Sequence, residues 1–204
     1  MGGVRLGVLG GTFDPPHYGH LALAEAARVQ LGLARVLFVP AGEPPHKPVR
    51  PVTPGHHRAA MVALAVADNP AFALSRVDLD RPGPHYTVDM LGLVQRQVPE
   101  AALFFLIGGD SLAHFLTWRD PAGIARQAHL AVMERPGYEP DLETLEQAVP
   151  GLCERLVWLD VPHLDISASD LRRRVRRRLP IRYLVSPAVE GYVREHGLYR
   201  VGAK

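Results

Sequence analysis

Six apolar, β-rich runs alternating with helical patterns predict an α/β fold, a mostly parallel sheet with helices on both faces. The runs occupy residues 4–9, 35–39, 72–79, 102–107, 129–133 and 156–161. Helix starts between them reinforce the pattern: Thr53-Pro54, Asp120-Pro121 and Ser186-Pro187 each pair a capping residue with a proline suited to a first turn. Neither repeat nor linker interrupts the chain, so a single domain over 1–204 is expected, with 166–204 as a helical C-terminal part.

The first run carries the most chemistry. Val4, Leu6, Val8 and Leu9 form the apolar strand, and Gly10-Gly11-Thr12-Phe13-Asp14-Pro15-Pro16-His17-Tyr18-Gly19-His20 follow at once. Paired glycines at a strand end let backbone amides approach a phosphate without an intervening Cβ, and the two prolines stiffen the turn. The Ala-rich segment from Gly19 to Leu31 reads as a helix stopped by Gly32. With that helix beginning near Tyr18, His17 and His20 emerge on one side of its first turn, where free N–H groups and the dipole favour an anion.

Along the rest of the chain, functional and plainly structural readings stand side by side. Prolines at 40, 44, 45, 48, 51 and 54 make a stiff, non-helical segment in which Lys47 either leans over a polyphosphate or is simply solvated. After the third run, Thr87 is a plausible N-cap for a helix through Val98. The fourth run enters Gly108-Gly109-Asp110, an acid placed either for ribose hydroxyls or as the cap of a helix through Leu116. Trp118 in Thr117-Trp118-Arg119 serves as core or as a platform for a planar ring. Ile166-Ser167-Ala168-Ser169-Asp170-Leu171-Arg172 has the grammar of a capping box and hydrophobic staple, and its amides, Ser169 hydroxyl and Arg172 guanidinium suit phosphates. Leu171, Val175 and Leu179 form an apolar stripe with arginines on the other faces, as in a solvated amphipathic helix. The rival reading, Arg172 to Arg178 on nucleic-acid phosphates, lacks an aromatic stacking platform or recognition module.

Taken in order, these motifs resemble the nucleotidyltransferase superfamily with an H-x-G-H element, which joins a nucleotide to a phosphate-bearing acceptor. Class I aminoacyl-tRNA synthetases carry a similar element, so the other motifs choose the branch. Gly-Gly-Thr-Phe-Asp-Pro-Pro, Pro-Pro-His-Lys, Thr-Trp-Arg and the Arg135-Pro136-Gly137-Tyr138 run are similar to the bacterial nicotinate-mononucleotide adenylyltransferases. The resemblance implies a Rossmann-like fold and adenylyl transfer from ATP, accompanied by Mg²⁺, to nicotinate mononucleotide, giving nicotinate adenine dinucleotide and pyrophosphate. It implies ATP binding by Gly10, Gly11, Thr12, Phe13, His17, His20, Gly108, Asp110, Ile166, Ser167, Ser169 and Arg172. Catalysis falls to His17, His20, Lys47 and Arg172, and mononucleotide binding to Lys47, Tyr86, Thr87, Trp118 and Arg119. The chain departs from the family pattern with His85 for Ser, Met90 for Thr and Ala168 for Ser.

Composition narrows the alternatives. The single cysteine, Cys153, excludes an internal disulfide and a cysteine-based zinc site, and no acid cluster suggests a dedicated metal cage. Net charge is +2, yet without the six arginines between Arg172 and Arg178 the body holds 17 basic against 21 acidic residues, so basic character is local. No apolar run approaches the roughly 20 residues of a membrane span, and a cytoplasmic protein is expected. A homo-oligomer is compatible with the sequence. A nicotinamide-mononucleotide enzyme, or a nucleotide- or nucleic-acid-binding protein using the Arg-rich helix, are the competing readings.

Overall fold

The computed structural model describes residues 3–42, 52–134, 137 and 139–200. Six parallel strands form one sheet: β1 (Arg5–Gly11), β2 (Arg35–Pro40), β3 (Phe72–Leu74), β4 (Ala102–Gly108), β5 (Ala128–Met133) and β6 (Leu156–Leu159), in the order β3-β2-β1-β4-β5-β6. The helices are α1 (Tyr18–Leu31), α2 (Gly55–Val66), α3 (Thr87–Gln97), α4 (Gly109–Ala113), α5 (Pro121–Gln127), α6 (Leu142–Ala148), α7 (Ala168–Arg176) and α8 (Pro187–Glu195). The expected Rossmann-like architecture is therefore present. Among the described residues, no helix is long and apolar enough to cross a membrane.

Alternation along the strands builds a core on each face. Leu103, Phe105 and Ile107 of β4 join Val8 and Leu130 beneath Leu91 and Val94 of α3 and Ile124 of α5. Phe104 and Leu106 face the other way, with Leu9 and Phe38, toward Leu23 and Ala27 of α1 and Val62 of α2. A third apolar cluster lies off the sheet, where Met61 and Ala65 of α2 meet Leu171 of α7 and Val189 and Val193 of α8. The C-terminal part is thus anchored to α2 rather than to a strand.

Several boundaries differ from the sequence expectation, and at the ends of β3 and β6 the reason is a side chain that captures backbone. The third run ends at Leu74 rather than 79: Asp78, only 4% exposed, accepts from Gly42 N–H at 2.9 Å and pairs with Arg81 at 2.8 Å, turning the chain away from the ladder. The sixth run ends at Leu159 rather than 161, because Gln30 takes both backbone groups of Asp160, at 2.7 and 3.1 Å. Asp120 and Ser186 cap α5 and α8 as expected, accepting from Gly123 N–H and Val189 N–H. Thr53 does not cap α2. The N-cap is Pro54, and Thr53 instead donates its N–H to Asp14 and accepts from Arg58. Thr87 is the first helical residue of α3 rather than its cap, and α4 is capped by Gly108 rather than Asp110. The helix expected through Leu116 stops at Ala113 and is followed by a 3-10 turn, Phe115–Thr117.

The pairing of α2 with α8 also carries a titratable cluster. His57 Nδ1 lies 2.9 Å from the Tyr192 hydroxyl, and the rings of His56 and His196 lie 4.2 and 5.1 Å from that of His57. Burial, then the neighbouring His56 and His196, hold the His57 pKa below its ordinary value of 6.5. The unfolded chain therefore takes up this proton first, so the stabilising contribution is complete above about pH 6.5 and is lost as pH falls below it. The expected outcome is a melting temperature that declines from pH 7 to 5.5, with a shallower decline in His57→Asn; parallel curves for the two proteins would refute this assignment.

Candidate active site

The crossovers leave the sheet in opposite directions from neighbouring strands β1 and β4, whose carboxyl ends lie side by side. Such a switch point leaves a crevice that the sheet does not fill. A cavity of about 650 Å³ opens there.

One wall is the turn between β1 and α1. Phe13, at a left-handed φ of 49°, is buried against Phe38 and meets the edge of the His20 ring at 4.9 Å. His17 is the extended N-cap of α1, and its backbone N–H donates to His20 Nδ1 at 3.1 Å. That bond assigns the His20 ring proton to Nε2. The two imidazoles stack with centroids 3.7 Å apart. Gly19 leaves room for this stack, since a Cβ there would sit 3.0 Å from His17 Nδ1 and the ring would have to give by a few tenths of an ångström. Gly10, Thr12, Phe13, His17 and His20 all line the cavity. Gly11 does not: it is occupied in the ladder beside Pro40, its carbonyl accepting from Ala41 N–H.

The opposite wall is the start of α7. Ser167 caps it by accepting from Asp170 N–H at 3.1 Å, and Ile166 packs onto the cluster that contains Leu171, as the staple pattern predicts. Only the Ser167 half of the expected capping box is used, because the Asp170 carboxylate pairs with Arg173. Arg172 donates to the Ser169 hydroxyl at 3.0 Å and to the Asp14 carbonyl at 2.7 Å. Ile166, Ser167, Ser169 and Arg172 face the same cavity as the two histidines. Gly108, Asp110 and Trp118 complete it from the β4 side. Trp118 packs against Phe115 and Phe105, as the core reading expects, and also forms part of the cavity wall.

Tyr86 and Arg119 line a second recess of about 630 Å³, with the Arg119 guanidinium 5.9 Å from the Tyr86 ring centroid. Thr87 is in the wall of neither cavity. Lys47, and with it the Pro-Pro-His-Lys loop, lies outside the described residues, as do Arg135, Pro136 and Tyr138.

Three residues essential to this geometry escaped the sequence reading. Asp14, 4% exposed, accepts from the Tyr199 hydroxyl at 2.7 Å and from Thr53 N–H at 3.3 Å. Arg58, 3% exposed, donates to the carbonyls of Thr12, Ala41 and Thr53 at 2.7 to 2.9 Å, tying the ends of β1 and β2 to the start of α2. Burial lowers the Arg58 pKa, while Asp14, Tyr199 and Asp78 pull it back up. Burial, and then the Asp14 carboxylate, push the Tyr199 phenol far above its ordinary range, so it acts as a hydrogen-bond donor. A signal for Arg58 was available: it lies on the apolar side of α2, three and four residues before Met61 and Val62. Asp14 and Tyr199 are 185 positions apart, and no local pattern links them.

Comparison with known proteins adds the following. Residues 8–174 match the cytidylyltransferase-like family. A protein of Thermomicrobium roseum named "Probable nicotinate-nucleotide adenylyltransferase" is 53% identical over 196 residues, spanning 96% of this chain and 92% of its own. One of the same name from a Roseiflexus species is 48% identical, spanning 98% and 100%. The nicotinic acid mononucleotide adenylyltransferase of Plasmodium falciparum, solved in complex with NaAD, superposes with a TM-score of 0.76 at 18% identity, covering 96% of this chain and 97% of that one.

Replacing Tyr199 with Phe removes the donor to a buried carboxylate while keeping the ring. The expected cost is about 1.5–3 kcal/mol, the usual range for a hydrogen bond to a charged group. It is read as a lower urea midpoint with an unchanged slope; an unmoved midpoint would show that Asp14 does not depend on this bond.

Proposed function

The chain belongs to the cytidylyltransferase-like family, among its nicotinate-nucleotide adenylyltransferases, and from that premise we infer how its own residues carry out the reaction. It is a transferase of NAD biosynthesis, joining the adenylyl group of ATP to nicotinate mononucleotide and releasing pyrophosphate. The observation that carries the assignment of roles is the convergence of the His17–His20 turn and the Ser167–Arg172 turn on one cavity.

In the proposed arrangement the triphosphate spans that cavity. Its α-phosphate lies over the N-terminus of α1, where the Tyr18 N–H already donates to the Leu184 carbonyl and the His20 N–H to that of His17, so the dipole and the imidazoles supply the attraction; the β- and γ-phosphates lie against the first turn of α7. The ribose hydroxyls are met by Asp110 and the adenine by the backbone around Gly108. Attack is in line: a phosphate oxygen of the mononucleotide forms a bond to the α-phosphorus as the bond to the bridging oxygen of pyrophosphate breaks. No protein nucleophile is required. Negative charge grows on the α-phosphate and the departing pyrophosphate, and the protein's part is positioning and charge stabilisation. The His20 ring is oriented by the N–H of His17, which leaves its proton on Nε2, the atom proposed to donate to the α-phosphate. Arg172 is held by Ser169 and by the Asp14 carbonyl and presents its charge to the leaving group.

Mg²⁺ is proposed to enter with ATP, bound mainly by phosphate oxygens, as a hard cation reluctant to shed its waters commonly is. The cavity suits that role: of the two carboxylates among its described residues, Asp14 already accepts from Tyr199 and Thr53 and Asp110 is assigned to the ribose, which leaves the ion's partners to the nucleotide and solvent. The pyridine ring is assigned to the Trp118 side of the cavity, and its carboxylate to Arg119, Tyr86 and the first amides of α3, including that of Thr87. Lys47 is kept as a further cation for the phosphates on the strength of the family motif.

Pyrophosphate release with ATP and Mg²⁺ is expected to favour nicotinate over nicotinamide mononucleotide at least about tenfold in kcat/KM, the equivalent of one charge-assisted hydrogen bond. Equal rates would overturn the pyridine-pocket assignment. His20→Ala should lower kcat by about 10²–10³, as loss of one donor to a developing oxyanion does. Its urea midpoint should stay close to that of the parent. A kcat within twofold of the parent would remove His20 from the phosphate site.

A further inference from the structure

Beyond Arg172, the arginine-rich end of α7 turns away from the nucleotide cavity. Arg176 and Arg178 at that end, Arg194 in the last turn of α8 and Arg200 just after it open on a separate concavity of about 750 Å³, with Val175 and Leu179 among its apolar lining. Between residues 166 and 200 there are nine arginines and three acids. The acids are mostly spoken for, with Asp170 on Arg173 and Glu190 on Arg182. Among the described residues, Arg176, Arg178, Arg194 and Arg200 have no carboxylate within ion-pair distance.

The backbone supplies a second observation. Arg178 has φ 59°, just past the end of α7, where its N–H donates to the Val175 carbonyl and the next N–H, of Leu179, to that of Arg174. Glycine closes a helix in this way without a steric penalty, and an L side chain there is disfavoured. Complementing helix dipoles accounts for cations in a last turn. It does not account for two helices and the segment after α8 opening guanidiniums on one hollow, nor for an arginine in a glycine position.

We propose that this hollow is a second anion site, specific for a compact multivalent phosphate: an inorganic oligophosphate or the polyphosphate tail of a nucleotide. Guanidinium forks match phosphate oxygens in pairs. The volume is that of a small-molecule pocket. No aromatic ring lines it, so recognition is of the phosphates and not of a base. This site is separate from the cavity assigned to the reaction, and the two can be counted independently.

The test is calorimetric titration of the full chain with inorganic tripolyphosphate. Two equivalents are expected for the parent protein, one in each cavity, with the second weakening steeply as salt rises because its guanidiniums are exposed. Arg178→Gly with Arg194→Gln should lose the second equivalent, or weaken it at least tenfold, while turnover at saturating ATP and nicotinate mononucleotide is unchanged. Arg178→Gly alone relieves the backbone and carries the measurement should the pair melt earlier than the parent. ATP as a second probe separates the sources: binding as tight as that of tripolyphosphate admits the tail of a nucleotide, and much weaker binding assigns an inorganic chain. A single equivalent in the parent, identical isotherms in parent and variant, or displacement by a single-stranded oligonucleotide at far lower concentration than tripolyphosphate would each overturn the proposal.

Discussion

The buried carboxylate of Asp14 is the constraint on which the rest of the site depends. A charge taken out of water must be compensated locally, or the fold bears a cost of several kcal/mol. Here its side chain is met by the Tyr199 hydroxyl and the N–H of Thr53, and its carbonyl by Arg172. Those three partners come from the segment after α8, the approach to α2 and the first turns of α7. One residue of the first turn therefore fixes where three later segments lie. Arg58 does the same from the opposite charge, binding three carbonyls around the same turn. The pair makes the loop between β1 and α1 a rigid object, although it is irregular backbone.

That rigidity matters because adenylyl transfer asks little of a protein except placement. Donors that are already aimed cost no reorganisation when charge develops. The His17–His20 stack, with Gly19 beneath it and Phe13 against its edge, is set by packing and by a main-chain bond, before any nucleotide arrives. The sheet contributes the other half of the design. By reversing strand order at β1 and β4 it leaves a gap that no crossover helix covers, and the C-terminal part, anchored on α2 through Met61, Leu171 and Val189, closes over one side of it.

The fold was legible in the sequence because parallel, doubly covered strands are largely apolar along their length, and all six runs contain strands. What failed were their ends. Val77 and Leu79 alternate with polar residues as an extended strand would, yet the buried Asp78 between them holds Gly42 and Arg81 and turns the chain. Asp160 is likewise taken by a glutamine 130 positions earlier. Most of the cavity wall was legible too, since Gly10, His17, His20, Asp110, Ser169 and Arg172 carry local signatures of strand end or helix start. Gly11 falls outside the cavity wall, because a paired glycine motif does not say which of the two faces the crevice. Asp14 and Tyr199 could not be read, because their meaning lies in a contact across almost the whole chain.

That long contact has a temporal consequence. Chains are made from the N-terminus onward, at about 5–20 residues per second. The turn that carries His17 and His20 is thus synthesised well before the phenol that satisfies its carboxylate, which lies 185 positions later. At those speeds Asp14 waits on the order of ten seconds or more for its partner. Until then water must stand in for that phenol, and the His17–His20 turn lacks one of the contacts that fix it.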